Sequence, residues 1–329
     1  MSVSSSAAAQ ASQVLGLFPW FGPDVTGGVQ TSARLAWPAV TAAASRQQRP
    51  ARLFCYDSRP GATAPPVLPG TMVATSKAQA IHAALSQRWQ ADRILIWHIG
   101  LLKLLPFFRA PRAHVALYMH GVEVWCKLDP LTRLLLRRVD LVLTNTDYTW
   151  QAFRAANSRP ARLAQRTVYL GDEIPMSGPT PPPATPPVAL MLGRIERGED
   201  YKGHRELIAA WPALREWVPG AELWIAGDGD LRPELEQLAQ QRGLGTQVRF
   251  WGLVSEAQKQ QLLAHCRCLA MPSRGEGFGL VYLEAMRLGR PCLVSDADAG
   301  HEVVRPPEAG LAVDPRDSAA TVAAMARLL

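Results

Sequence analysis

The chain has 329 residues, 48% hydrophobic and 19% charged, with 35 Lys and Arg against 28 Asp and Glu. That balance fits a soluble globular protein of two domain-sized halves and excludes a disordered chain. No run of about 18 apolar residues is present to span a bilayer, and five scattered cysteines argue against a disulfide framework and for a reducing cytoplasm.

The charge is divided unevenly. Residues 1–180 carry 19 Lys and Arg against 9 Asp and Glu, and residues 181–329 carry 16 against 19. The first half is therefore expected to face something anionic, such as a membrane surface or a phosphorylated substrate. No nucleic-acid motif or basic–aromatic array is present, so nucleic acid is not an expected partner.

In chain order, residues 1–12 are Ser/Ala-rich, without the basic segment and apolar core of a secretory leader. Short apolar strands are then predicted at 14–18, 52–57, 93–99, 114–119, 141–145 and 167–170, separated by helix-length stretches. "PMSGPTPPPATPP" (175–187) holds seven prolines in thirteen residues and reads as a semi-rigid linker. Strands then resume at 188–193, 221–227, 248–252, 268–273, 291–296 and 310–314. This alternation predicts an α/β fold of two Rossmann-like lobes, with parallel sheets facing a central cleft. The lobes are expected at 1–174 and 188–329. Ligands of such sheets sit at the carboxyl ends of the strands.

The densest chemistry lies in "PSRGEGFGLVYLEAM" (272–286). A strand precedes it, and "LVYLEAMRLG" has helical spacing with Gly289 as a stop. The turn thus opens a helix, where free amides and the helix dipole favour a phosphate. Gly277 and Gly279 let backbone approach it. Glu276 in the turn and Glu284 in the helix suit hydroxyls rather than phosphates, so the pattern points to a nucleotide sugar. A dinucleotide fingerprint would need glycine at position 280, where Leu280 stands, although Asp296 sits where a ribose-binding acid would. Upstream, Arg194 follows a strand and Lys202-Gly203 precedes a helix, and both cations could neutralise a diphosphate.

Arg194, Lys202-Gly203, "IAGDGDLRPELE" (225–236), "VRFWGLV" (248–254), the E-x7-E stretch and "GRPCLVSD" (289–296) resemble, in order and spacing, the retaining glycosyltransferases of family four with the two-lobed GT-B fold. The resemblance covers 188–315. It is weaker in the first half, at "GGVQ" (27–30), "HGVE" (120–123) and "DLVLTNTDYT" (140–149). It implies that Arg194 and Lys202 bind the donor diphosphate, Glu276 the donor-sugar hydroxyls and Glu284 the ribose. Gly277, Phe278, Gly279 and Leu280 would form the donor-binding turn, with amides of Gly279 and Leu280 on the phosphates. Phe250–Leu253 would border the base, Gly27 and Gly28 would cover the diphosphate, and His120 would stand beside the sugar.

The reading is therefore a cytoplasmic hexosyltransferase, with no cofactor and no metal, using a nucleotide sugar as co-substrate. UDP- or GDP-sugar would be the donor and a saccharide or lipid-linked hydroxyl the acceptor, in polysaccharide or glycoconjugate synthesis. Alternatives are a GT-B epimerase or hydrolase acting on the nucleotide sugar, or a non-catalytic subunit that binds it. "DGD" (228–230) and "DAD" (296–298) mimic a metal-binding D-x-D, and "HCRC" (265–268) mimics a zinc site without a second ligand pair. His98 is a possible acceptor contact. "GLLKLLPFFRAPR" (100–112) and "LTRLLLRR" (131–138) read either as core-facing leucines with a solvated basic face or as a peripheral membrane patch.

Overall fold

The computed structural model describes residues 13–25, 27–59, 70–87, 89–157, 163–171 and 180–329. The chain forms two compact units. One runs up to Asn145 and takes in Gln151–Tyr169; the other comprises Thr146–Trp150 and the chain from Leu170 onward.

The first unit holds a parallel sheet of β1 (Gln13–Pro19), β2 (Ala51–Tyr56), β3 (Thr71–Ala74), β4 (Ala91–Ile96), β5 (His114–Met119), β6 (Leu141–Thr144) and β7 (Ala164–Thr167). Their order is 3-2-1-4-5-6-7. The connections carry α1 (Gly28–Arg46), α2 (Lys77–Ser86), a 3₁₀ stretch over Ile99–Phe108, α3 (Pro130–Leu135) and α4 (Asp147–Ala156), which begins within the second unit's share of the chain. Ser76 caps α2 through the Gln79 amide, and Asp129 caps α3 through that of Thr132, with Pro130 at the first helical position.

The second unit repeats the plan with β8 (Val188–Leu192), β9 (Glu222–Ala226), β10 (Val248–Gly252), β11 (Cys268–Met271), β12 (Cys292–Ser295) and β13 (Gly310–Val313), again all parallel, in the order 10-9-8-11-12-13. Around them lie α5 (His204–Trp217), α6 (Arg232–Gln241), α7 (Glu256–His265), α8 (Leu280–Arg287), α9 (Gly300–Val304) and α10 (Ser318–Leu328). Every residue of β8, β11 and β12 is buried, as expected of strands covered by helices on both faces. Ser255 and Gln258 form a capping box at the start of α7.

In each sheet the strand order reverses beside one strand, between β1 and β4 and between β8 and β11. The loops leaving those strands bound the crevice where such sheets take ligands.

One expectation is corrected. The strand expected at 167–170 pairs instead over Ala164–Thr167. This is an edge strand of alternating exposure, anchored by the Gln165 amide donating to Thr144 Oγ1 at 2.9 Å, while Val168 and Tyr169 stay exposed. The short edge strand β3, "TMVA", was not anticipated at all. Of the proline-rich stretch, residues 175–179 lie outside the described residues. The described remainder lies along the second unit, with the Ala184 amide donating to the His265 carbonyl at 2.8 Å.

Gly289 ends α8 as expected. Its φ is 66°, and the Arg290 and Gly289 amides donate back to the carbonyls of Ala285 and Met286 at 3.0 and 2.9 Å. A Cβ here would meet no heavy atom within 4 Å, so only the backbone conformation opposes a side chain. Gly289→Ala is therefore expected to destabilise the protein by about 1 kcal/mol, and Gly289→Asn by less, read as a shift in the urea midpoint.

Candidate functional site

In the second unit the site grows from the loops after β8 and β11. Beyond β8 the chain passes Gly193 and Arg194 into a 3₁₀ turn, Arg197–Lys202, which delivers Glu199 and Lys202. The Glu199 carboxylate joins the two cations. It pairs with the Arg194 guanidinium through Oε1 and with Lys202 Nζ at 2.5 Å through Oε2. Arg194 is largely exposed, whereas Lys202 and Glu199 are mostly buried. Gly203 then turns the chain into α5 with φ 89°; a Cβ there would lie 2.5 Å from the Pro272 carbonyl oxygen. This close approach fixes the cation loop against the turn after β11. The Arg274 amide adds a bond to the Tyr201 carbonyl at 2.8 Å.

That turn reaches α8 through Gly279, at φ 78°. Phe278 is buried, Gly277 and Leu280 are half-buried, and the opening amides of α8 lack an earlier helical carbonyl to bond. Glu276 is held by its backbone: its amide donates to Asp298 Oδ2 at 2.9 Å, and its carbonyl accepts from Ala299 at 3.1 Å. Enclosure by protein raises the pKa of its carboxyl, against the opposing charge of Lys202 and the amides of Phe278 and Gly277. Asp298, fully buried, also accepts from the Gly300 amide through Oδ1 at 2.9 Å. Burial, with the Glu276 charge adding to it, pushes Asp298 up to about 7 despite the amides that favour its anion.

Glu284 lies in the second turn of α8 and is buried. It accepts from Lys259 Nζ at 2.8 Å, and Lys259 also bonds Glu256 at 2.8 Å. Burial alone would lower the Lys259 pKa, but the two carboxylates together raise it. At the end of β10, the Arg232 guanidinium stands 6.0 Å from the Phe250 ring centre, and Leu253 is 83% exposed.

In the first unit, Arg34 shapes the loop after β1 by donating to the carbonyls of Phe21, Gly22 and Val25. That loop ends at Gly27, φ 138°, and Gly28 opens α1. His120 follows β5 and is buried beneath Trp97 and Tyr118. Its Nε2 lies 2.6 Å from the Trp97 carbonyl oxygen. A carbonyl only accepts, so Nε2 carries the hydrogen and Nδ1 keeps a lone pair. Burial lowers the His120 pKa to about 4, leaving the ring neutral at pH 7. The His98 ring centre is 6.3 Å away.

The expected residues thus fall into two sets. Arg194, Lys202, Glu276, Gly277, Phe278, Gly279, Leu280 and Glu284 are assembled in the second unit, and Gly27, Gly28 and His120 lie at the carboxyl end of the first sheet.

Residues 186–329 match the family described as Glycosyl transferases group 1.

The chain is 30% identical over 249 residues to a GDP-mannose-dependent alpha-(1-6)-phosphatidylinositol monomannoside mannosyltransferase of Mycobacterium tuberculosis, covering 67% of this chain and 63% of the relative. It is 38% identical over 141 residues to a phosphatidyl-myo-inositol mannosyltransferase of Mycobacterium leprae, covering 43% of this chain and 36% of the relative. The chain thus spans less than two thirds of the length of these curated relatives. In fold, it matches the sucrose-phosphate synthase of Thermosynechococcus elongatus with a TM-score of 0.75 at 20% identity, over 96% of this chain and 89% of the other. Both sheets therefore follow the Rossmann-like plan of GT-B glycosyltransferases.

Three residues of the second unit escaped sequence reasoning: Glu199, Asp298 and Lys259. Asp298 was visible only within a mock D-x-D. Its carboxylate instead binds amides, while Asp228 pairs with Arg232 at 3.7 Å and Asp230 accepts from the Arg197 amide at 2.8 Å. No group of three His, Cys, Asp or Glu placed to hold a metal occurs among the described residues. Cys266 and Cys268 are buried.

Because the Asp298 pKa is raised above its unfolded value, the folded state binds the extra proton and loses stability as pH climbs from about 4 to about 7. Asp298→Asn removes that loss but puts an amide nitrogen against a backbone donor, a cost on the order of 1–3 kcal/mol at every pH. Its stability relative to the parent is expected to improve steadily from pH 5 to 7 and level off above, as measured by urea unfolding at each pH.

Proposed function

We propose that the chain is a retaining, metal-independent glycosyltransferase of family four. It moves a hexose from a UDP- or GDP-sugar to a hydroxyl of a saccharide or lipid-linked acceptor, in the cytoplasm, for polysaccharide or glycoconjugate synthesis. The observation that carries this reading is the Arg194–Glu199–Lys202 cluster beside a glycine turn that holds Glu276 just ahead of α8.

In the reaction, the bond between the anomeric carbon and the phosphate oxygen breaks. The acceptor oxygen bonds on the same face, and the departing phosphate oxygen takes the acceptor's proton. The leaving diphosphate gains negative charge. Arg194, Lys202 and the amides of Gly279 and Leu280 are the donors that stabilise it, already positioned before the charge develops. Glu276 orients the donor-sugar hydroxyls, with the Asp298 contact fixing its backbone. Glu284 takes the ribose hydroxyls, with Lys259 steadying its carboxylate. His120 offers the Nδ1 lone pair to a sugar hydroxyl, and Gly27 and Gly28 let backbone close over the diphosphate. The relatives named for GDP-mannose and phosphatidylinositol acceptors make that donor and those acceptors the first to test.

A panel of GDP- and UDP-sugars is expected to include one that raises the melting temperature, and GDP-mannose heads it. With that donor, Glu276→Ala and Lys202→Ala should each lower kcat on the order of 10²–10³-fold in a transfer assay. Unchanged rates in Glu276→Ala would remove that residue from the mechanism. Turnover should persist in excess EDTA, and NMR of the first product should show the donor's anomeric configuration.

A further inference from the structure

The first unit carries a surface that the transfer chemistry does not use. It is built from the 3₁₀ stretch Ile99–Phe108, the loop to β5, and α3 with the 3₁₀ turn Leu136–Arg138. Ile99, Leu101, Leu102, Leu105, Phe108, Leu135 and Leu136 point into the core. This accounts for most of the leucines that the sequence left ambiguous. Leu131 and Leu134 do not follow them: they are 51% and 55% exposed, three residues apart on one helical face.

Arginines border those leucines. Arg133, Arg137 and Arg138 are exposed on the same short helical segment, and Arg112 is exposed on the neighbouring loop. The pieces form one surface. Arg138 donates to the Pro111 carbonyl at 3.1 Å, and Lys103 bonds Asp129, the α3 cap, at 3.0 Å. Residues 100–140 hold seven Lys and Arg against three Asp and Glu. All three acids are committed locally: Glu123 to the His120 amide, Asp129 to the α3 cap and Asp140 to the Val115 amide. The exposed field is therefore cationic around an apolar centre.

We infer that this face of the first unit docks on the surface of an anionic lipid bilayer, with Leu131 and Leu134 entering the headgroup boundary and Arg133, Arg137, Arg138 and Arg112 binding lipid phosphates. Exposed leucine suits that boundary better than water, and cations beside it match an anionic leaflet. A nucleic acid or acidic protein would match the arginines but leave the leucines without a role. No described helix is long and apolar enough to cross a membrane, so the docking is peripheral. Arg112 and Arg138 lie just before β5 and β6, at the amino ends of the strands. The inference does not depend on which sugar is moved, or on transfer at all.

The test is sedimentation of the full chain with vesicles of phosphatidylcholine alone and of phosphatidylcholine mixed equally with phosphatidylglycerol. The chain should sediment with the mixed vesicles and stay in solution with the neutral ones. R133Q/R137Q/R138Q should weaken partition by roughly fivefold for each charge removed, and L131S/L134S by about tenfold or more. Both variants alter exposed positions only, and circular dichroism checks that they remain folded. The inference is overturned if the parent ignores anionic vesicles, if it binds neutral ones equally, or if L131S/L134S binds as the parent does.

Discussion

Parallel pairing of every strand is the constraint on which the rest of this molecule depends. Parallel strands need a crossover between neighbours, so each strand's carboxyl end feeds a loop and then a helix start. All loops of one sheet that can carry chemistry therefore emerge at one end. In the second unit this brings the loop after β8 and the turn after β11 side by side, although about 80 residues separate them in the chain. Arg194, Lys202 and Glu276 are neighbours because of sheet order, with Gly203 and Pro272 setting how closely the loops meet.

Charge in this lobe is arranged in two layers. Nearer solvent, two cations share one carboxylate. Deeper in, Glu276 and Asp298 crowd together, and burial opposes their ionisation while backbone amides favour it. Lys202 lies between the layers electrostatically, paired with Glu199 and lowering the Glu276 pKa. Substituting one member therefore alters the electrostatic surroundings of the others, and effects within this set are not expected to add.

Much of this was legible in the sequence. Buried parallel strands are short apolar runs, so eleven of the thirteen strands stood out by composition alone. β3 and β7 did not, because edge strands need no continuous apolar character and β7 is held partly by Gln165. The glycine turn with Glu276, and Glu284 in α8, were legible as a helix start with acids. Glu199 was not: in sequence it is one acid in "RGEDYK", and only the 3₁₀ turn swings its carboxylate between the two cations. Asp298 and Lys259 were hidden for a related reason. Their partners, the Glu276 amide and Glu284, are 22 and 25 residues away and meet them only through tertiary packing. The leucines of the first unit divide between core and solvent according to how α3 lies on the 3₁₀ stretch, which periodicity over six residues does not determine.

The Glu199 bridge also sets a threshold for competitors. A carboxylate already occupies both cations, so an arriving anion gains only the difference between its own interaction and the one it displaces. Chloride and singly charged metabolites gain little by that exchange, whereas an anion with two linked charges can engage both cations at once. Under the proposed function the bridge would favour anions with two linked charges over singly charged ones, and would hold Arg194 and Lys202 in place while no donor is bound.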